Sequence, residues 1–405
     1  MAKGKEKHVF LTAAFLIVLL SAGVVQFAVE LSEGQRPQLT ELFRQLPTKD
    51  NLRMFENDLE KSCRLAGRLR PSVQYVQFLV LRDTGDKALM GRAGWFFYKP
   101  AVQYLIEPLP ANSGYSRADV LSAIISFRDQ LARRGIKLLV VPAPNKASIY
   151  PEMLTSRAEG SEQPVNPKTI EILSRLRESG VEIVDLFRIF AEAREGLPPG
   201  DNTNYYLAQD SHWSPDGMRL AAQAVAKRIL NLGWAEKGKV RYRLKPTNIE
   251  RYGDVLKMMQ YVSRDVSRVS RPRIADKMPA TQRTPSTRRF EPETLNCTQV
   301  VNADIGQLYQ ADPNSEVLVI GDSFLRIYSR DEPGSGGFIE HLAYELGFPL
   351  ASIVNDGGAS TLVRQELSRK SALLRNKKLV IWEFVERDIR FGMEGWQQVS
   401  LPPAP

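Results

Sequence analysis

The sequence predicts an α/β fold: one parallel β-sheet with helices on both faces, preceded by a single membrane-spanning helix. Three observations predict it. Five short, largely apolar runs stand at 136–144 ("IKLLVVPAP"), 181–186 ("VEIVDL"), 316–320 ("EVLVI"), 350–354 ("LASIV") and 378–384 ("KLVIWEF"). That is the pattern of strands buried on both faces. Helical stretches separate them, and strand–helix alternation of this kind builds a parallel sheet. Ahead of them all lies an uncharged run from 9 to 29.

The N-terminal elements come first. "MAKGKEK" carries Lys3, Lys5 and Lys7, and "VFLTAAFLIVLLSAGVVQFAV" (9–29) follows without a charge. At ~1.5 Å per residue such a helix just spans a hydrocarbon core of ~30 Å. The lysines before it, with Glu30, Glu33 and Arg36 after it, place residues 1–8 in the cytoplasm and the body outside. The run exceeds the ~7–15 apolar residues of a signal peptide and ends without a small-x-small cleavage site. An uncleaved signal anchor is therefore expected. Residues 30–90 read as a juxtamembrane helical lead-in, 91–395 as one α/β domain, and 396–405 as a C-terminal tail.

Within the domain, "GRAGWFFY" (91–98) is a turn running into an aromatic strand. The next helix places Val120, Ile124, Phe127 and Leu131 on one face and stops at Gly135. A second helix, "PKTIEILSRLRESG", precedes the second core strand. A third, after residue 214, turns Met218, Ala221, Ala222, Val225 and Ile229 inward.

The totals narrow the function classes. The chain has 405 residues, 43% apolar, and carries a net charge of +9. Outside a membrane that charge suits an acidic polysaccharide or anionic headgroups, and no nucleic-acid motif is present. Residues 257–290 hold nine Lys or Arg against Asp265 and Asp276, and so carry most of the excess. This segment reads as a basic insertion, either a solvated loop or a lip that gathers an anionic polymer. In an oxidising compartment Cys63 and Cys297 are candidates for a disulfide. Two cysteines and the histidines make no metal set.

Chemistry concentrates in two places. "GDSF" sets Ser323 directly after a buried strand, where a parallel sheet presents ligands and backbone N–H groups can stabilise an oxyanion. A serine needs a base to take its proton, and that base needs an orienter. "DSHWSPDG" (210–217) offers both: in an extended segment Asp210 and His212 point to one side. Ser214 as N-cap, Pro215 at the first helical position and a Trp213–Met218 staple would fix His212 before a rigid helix start. By themselves these features also suit a capped helix with polar approach residues; Ser323 tips the balance to catalysis. The rival His341 lies in "GFIEHLAYELG" and reads as a helix-surface residue, while His8 falls in the cytoplasmic tail.

In this order, "DSHWSPDG" and "GDSF" resemble the AlgJ/AlgX-type polysaccharide O-acetyltransferases, whose fold is similar to that of SGNH hydrolases. "GRAGWFFY" and "VPAPNKASIYPE" (141–152), with Lys146 and Tyr150, fit the same pattern, so the resemblance spans about 90 to 390. The motif order is permuted relative to ordinary SGNH hydrolases, where the serine comes first. The resemblance implies Ser323 as nucleophile, His212 as general acid/base and Asp210 as its orienter. It leaves Gly357, Gly358, Arg364 and Tyr328 as candidates for oxyanion or substrate contacts. It implies no cofactor, an exopolysaccharide acceptor such as alginate, and a membrane-bound acyltransferase exporting acetyl groups as donor partner. The place would be a bacterial inner membrane, with the domain in the periplasm, closer to the anchored AlgJ branch. An acetylesterase of the same fold and a non-catalytic polysaccharide-binding scaffold are the competing expectations.

Overall fold

The computed structural model describes residues 83–107, 117–160, 166–259, 291–391 and 395–402, with shorter pieces between 11 and 81. The chain divides into two compact units, Met1–Asp83 with Gln260–Ser286, and Thr84–Met259 with Thr287–Pro405. In the first, helix α1 (Lys49–Ser62) is opened by Thr48, whose Oγ1 accepts from the Asn51 N–H. Among the described residues no helix is long and apolar enough to cross a membrane. Part of the expected 9–29 anchor, nearly all of the basic insertion and Cys63 lie outside the described residues.

The second unit opens with an antiparallel pair, β1 (Ala88–Met90) and β2 (Phe96–Tyr98), so the domain begins before the expected residue 91. Helices α2 (Lys99–Ile106) and α3 (Arg117–Ala132) lead into β3 (Lys137–Ala143). Then come α4 (Lys146–Ile149), α5 (Pro167–Glu178), β4 (Glu182–Ile183), α6 (Leu186–Glu195) and α7 (Pro215–Asn231). A long ladder of β5 (Tyr242–Arg251) and β6 (Glu293–Asn302) brackets α8 (Asp254–Met258). The chain closes with β7 (Val317–Gly321), α9 (Ser323–Arg326), α10 (Phe338–Leu346), β8 (Ala351–Val354), α11 (Leu362–Arg369) and β9 (Leu379–Val385).

All five predicted core strands form one sheet, ordered β4-β3-β9-β7-β8 and parallel throughout. The last strand in sequence is thus the central one. Alternate residues serve opposite faces. Leu139, Val141, Val319 and Ile381 pack with α7 and α10, while Leu138, Val140, Leu318, Ile320, Val380 and Trp382 pack with α3, α5 and α11. Burying each such side chain contributes about 1.5–3 kcal/mol, so the central strands hold the layers together and their carboxyl ends form a fixed edge.

The β5–β6 ladder was not visible in the sequence. The expected tail packs instead: Trp396 sits against Trp382 and Phe384, with ring centroids at 5.7 and 5.1 Å, and donates to the Asp388 carbonyl. Cys297 on β6 is a free thiol buried in the core, its pKa pushed up to about 11 by burial; the other member of the expected pair, Cys63, lies outside the described residues.

Candidate active site

Ser323 opens α9, immediately past the end of β7. Asp322 caps the turn, its carboxylate accepting from the N–H of Phe324 at 2.9 Å and of Val385 at 3.3 Å. Gly321 is required by close approach: a Cβ there would lie 2.4 Å from a carboxylate oxygen of Glu383 on β9. Ser323 itself is only partly buried.

His212 reaches it from the far side of the sequence. Its Nε2 is 2.8 Å from Ser323 Oγ, and its Nδ1 is 2.6 Å from Asp210 Oδ1. The expected extended segment is instead a tight bend, closed by the Tyr206–Trp213 bridge and by Leu207 N–H on the His212 carbonyl. Asp210 Oδ1 accepts the backbone N–H of His212 at 3.1 Å as well as its ring nitrogen, an Asx-type turn that makes two-residue spacing sufficient. Beyond it, Ser214 Oγ accepts from Gly217 N–H and Pro215 starts α7, as the capping pattern predicts. The Phe324 ring lies 4.7 Å from the imidazole and 4.9 Å from Trp213, which fixes the plane of the base.

A further layer was not anticipated. Asp210 Oδ2 accepts from Arg251 at 3.2 Å and from the N–H of Asp254 at 3.0 Å. The Asp254 carboxylate accepts from Ser211 N–H and Oγ, both at 2.6 Å. The one sequence signal was Gly253, where a Cβ would lie 2.0 Å from the Gln209 carbonyl oxygen, so the β5–α8 corner seats directly on the bend. Lys146 also grips this bend from below, its Nζ on the carbonyls of Leu207, Ala208 and Asp210. Tyr150 accepts the N–H of Tyr205.

Burial opposes charge on Asp210, but the charge of His212, its hydrogen bond and Arg251 hold the carboxyl well below the usual range. Burial likewise opposes charge on His212, and Asp210, with Asp254 behind it, outweighs it and raises the imidazole pKa. Burial and the neighbouring Asp210 charge raise Asp254. Asp210, His212 and Asp254 could together hold a cation by spacing alone. Their facing atoms are instead bonded to one another and to N–H and O–H donors, with the cationic Arg251 alongside. That wiring orients the imidazole and suits a metal ion poorly.

The other candidates separate. Gly357 stands in the turn after β8 with φ 68°, and its N–H has no partner among the described residues. Gly358 spends its N–H on the Asn355 carbonyl at 3.0 Å, so it is not an oxyanion donor. Arg326 of α9 bonds Asp356 at 2.8 Å and ties this turn to the nucleophile's helix. Arg364 and Tyr328 do not fit the substrate roles expected of them, because both are fully buried. Arg364 donates to the Ser360 carbonyl and lies over Trp382, and Tyr328 donates to the Trp213 carbonyl. His341 is not on the surface: it is buried against Thr298 of β6, and burial lowers its pKa to about 4. Arg387, two residues past β9, was missed. Its guanidinium lies 5.1 Å over the Tyr98 ring and 6.0 Å from Phe324. Among the described residues it has no hydrogen-bond or ion-pair partner.

Fold and site together define a protein of the SGNH hydrolase-like class, with a strand-end serine facing a histidine and an aspartate. Residues 88–386 match the family described as "SGNH hydrolase-like domain, acetyltransferase AlgX", and the chain belongs to that family. It is 30% identical over 169 residues to "Probable alginate O-acetylase AlgJ" of Pseudomonas aeruginosa, covering 41% of this chain and 38% of that one. It is 25% identical over 262 residues to "Alginate biosynthesis protein AlgX" of the same organism, covering 64% and 48%. The matches thus span less than half the length of these two relatives. Among solved structures, the O-acetyltransferase domain of Pseudomonas putida AlgJ aligns with a TM-score of 0.52 at 20% identity, over 75% of this chain and 93% of that one. AlgX of P. aeruginosa aligns at 0.51 and 19%, over 74% and 62%. At these identities the structures speak for the fold.

Proposed function

We propose that this protein is a serine-dependent O-acetyltransferase that acetylates hydroxyls of an exported, anionic polysaccharide. The observation that carries the reading is the continuous Asp210–His212–Ser323 hydrogen-bond chain, ending at the one member of the three that is partly open to solvent.

The chemistry follows from that chain. Ser323 Oγ attacks the carbonyl carbon of an acetyl donor while His212 Nε2 takes its proton. The oxyanion that forms is met by the N–H of Ser323 and that of Gly357. Collapse releases the leaving group, which takes the proton from His212, and leaves acetyl-Ser323. A sugar hydroxyl then attacks the acetyl carbon, giving its proton to His212, and the proton returns to Ser323 Oγ. Asp210 stays ionised and stabilises the imidazolium in both halves.

Arg387 supports an anionic acceptor. A half-buried guanidinium with no hydrogen bond or ion pair among the described residues, on an aromatic platform beside Phe324, suits a uronate carboxylate, which it can hold through two parallel N–H donors. The basic composition of 257–290 points the same way. The charge-free run 9–29 with its N-terminal lysines supports an inner-membrane anchor with the domain in the periplasm. A donor reaching that side of the membrane requires a membrane-bound acyltransferase partner, because cytoplasmic acetyl thioesters do not cross.

The test incubates the full chain, purified in detergent, with an acetyl ester and either a polyuronate or its methyl-esterified form. Acetylated sugar and free acetate are read by mass spectrometry. Acetyl transfer to the polyuronate, lost in Ser323→Ala and made indifferent to esterification in Arg387→Gln, is expected. Free acetate alone would make the protein an esterase, and no turnover would leave a binding scaffold.

A further inference from the structure

Lys146 is a buried ammonium with no salt bridge among the described residues. It follows β3 at the start of α4 and is only 3% exposed. Its Nζ lies 2.9 Å from the Leu207 carbonyl oxygen, 3.1 Å from that of Ala208 and 2.6 Å from that of Asp210. An ammonium has three N–H donors and no acceptor, so the three carbonyls use it completely. The rings of Trp95 and Phe97 enclose it at 5.4 and 4.9 Å, and such faces favour the charged form.

Those carbonyls all belong to the bend that carries Asp210 and His212. The amides of the same bend are held from another element: Glu293 of β6 accepts from Ala208 N–H at 2.8 Å and Gln209 N–H at 2.9 Å. Lys146 on the carbonyls and Glu293 on the amides thus grip one loop from two sides. The Asp210 peptide is gripped directly at its carbonyl oxygen.

We propose that Lys146 is a positioning residue for the acyl-transfer site: its ammonium clamps the carbonyls of Leu207, Ala208 and Asp210 and so aims the Asp210 carboxylate at His212. The proposal rests on the catalytic reading of Asp210, His212 and Ser323. It also gives the motifs around Trp95, Phe97 and Lys146 a common task.

The clamp has a pH limit. Burial lowers the Lys146 pKa to about 8, against the attraction of Asp210 on the bend, Asp254 on α8 and Glu293 on β6. A neutral amine keeps two N–H donors and turns a lone pair towards the carbonyls, so the bend loosens as pH rises through that value. Turnover should therefore fall on the alkaline side.

The test uses the full chain and steady-state turnover of an acetyl ester. Lys146→Met is expected to lower kcat on the order of 10²-fold, the effect of a misplaced catalytic group, with little change in KM and no alkaline limb near pH 8. Phe97→Leu removes one ring face and is expected to move that limb to lower pH. It decides the matter if Lys146→Met does not fold. The downfield proton NMR signal of His212 Nδ1–H reports the Asp210 contact without any turnover. In the wild type it should weaken as pH rises through about 8. Wild-type kcat in Lys146→Met, an unmoved limb in Phe97→Leu, or an Nδ1–H signal indifferent to pH 8 would each overturn the proposal. Turnover that survives Ser323→Ala would instead sink the catalytic reading and leave the NMR test of the clamp standing.

Discussion

The backbone N–H of Asp254 donates to Oδ2 of Asp210 at 3.0 Å, while the Asp254 carboxylate accepts from both the N–H and the Oγ of Ser211. Two aspartates from separate elements therefore fix three consecutive residues, with His212 the third. Asp254→Asn removes a charge that raises the His212 pKa and disturbs the bond to Ser211 N–H. Hydrogen bonds to charged groups are worth about 1.5–3 kcal/mol, so kcat should drop roughly 10- to 100-fold. Steady-state kinetics on the folded variant, checked by circular dichroism, measures it.

Asp210→Asn should be more severe. The amide can neither balance the imidazolium nor guarantee the tautomer with its proton on Nδ1, and loss of a triad acid costs about 10⁴-fold in kcat. The variant should fold, because Arg251 and the Asp254 N–H can still donate to an amide oxygen. A kcat within tenfold of wild type would show that Asp210 does not orient the base.

The acid limb of activity should lie above the ordinary imidazole value of about 6.5. Only neutral His212 can accept the Ser323 proton, and its pKa is raised because Asp210 and Asp254 outweigh burial. The rate should thus fall as pH drops through that raised value, and Asp254→Asn should move the limb to lower pH. The same shift makes stability depend on pH. A folded pKa raised above the unfolded one stabilises the fold fully below the unfolded value, and the contribution is lost as pH rises through the folded value. Thermal melts across pH 5 to 9 would read that term.

Trp396 should behave as core rather than tail. With 3% of its surface exposed and two aromatic neighbours on β9, Trp396→Ala is expected to cost about 3–5 kcal/mol. Urea unfolding would measure it, and a loss under about 1 kcal/mol would contradict the packing.

Cys297 should resist alkylation at pH 8 until the protein unfolds, since burial holds its thiol protonated up to about pH 11. Mass spectrometry after iodoacetamide, with and without denaturant, tests this.

The five sheet strands were legible because they are buried on both faces and so apolar along their length. The β5 strand was not, because its in–out alternation changes phase at Pro246 and four of its ten residues are charged. That strand delivers Arg251, and the corner after it delivers Asp254, so the outer layer of the site stayed hidden with it. Asp210, His212 and Ser323 were legible because local signals, a capped helix start and a strand-end turn, sit beside them. Arg364 and Tyr328 carry chemistry that suits a substrate contact. Their burial is set by tertiary packing against Trp382 and Trp213 that no local pattern records. Arg387 went unnoticed for the converse reason: nothing in "VERD" says that its guanidinium is left unpaired over Tyr98.

The proposed mechanism puts the acetyl group on Ser323. Mixing the full chain with an acetyl ester, quenching in acid and mapping the peptides by mass spectrometry isolates that step. One acetyl group is expected on the peptide containing Ser323, absent from Ser323→Ala and discharged by added polysaccharide. Acetyl transfer that proceeds in Ser323→Ala, or an adduct on a different residue, would contradict it.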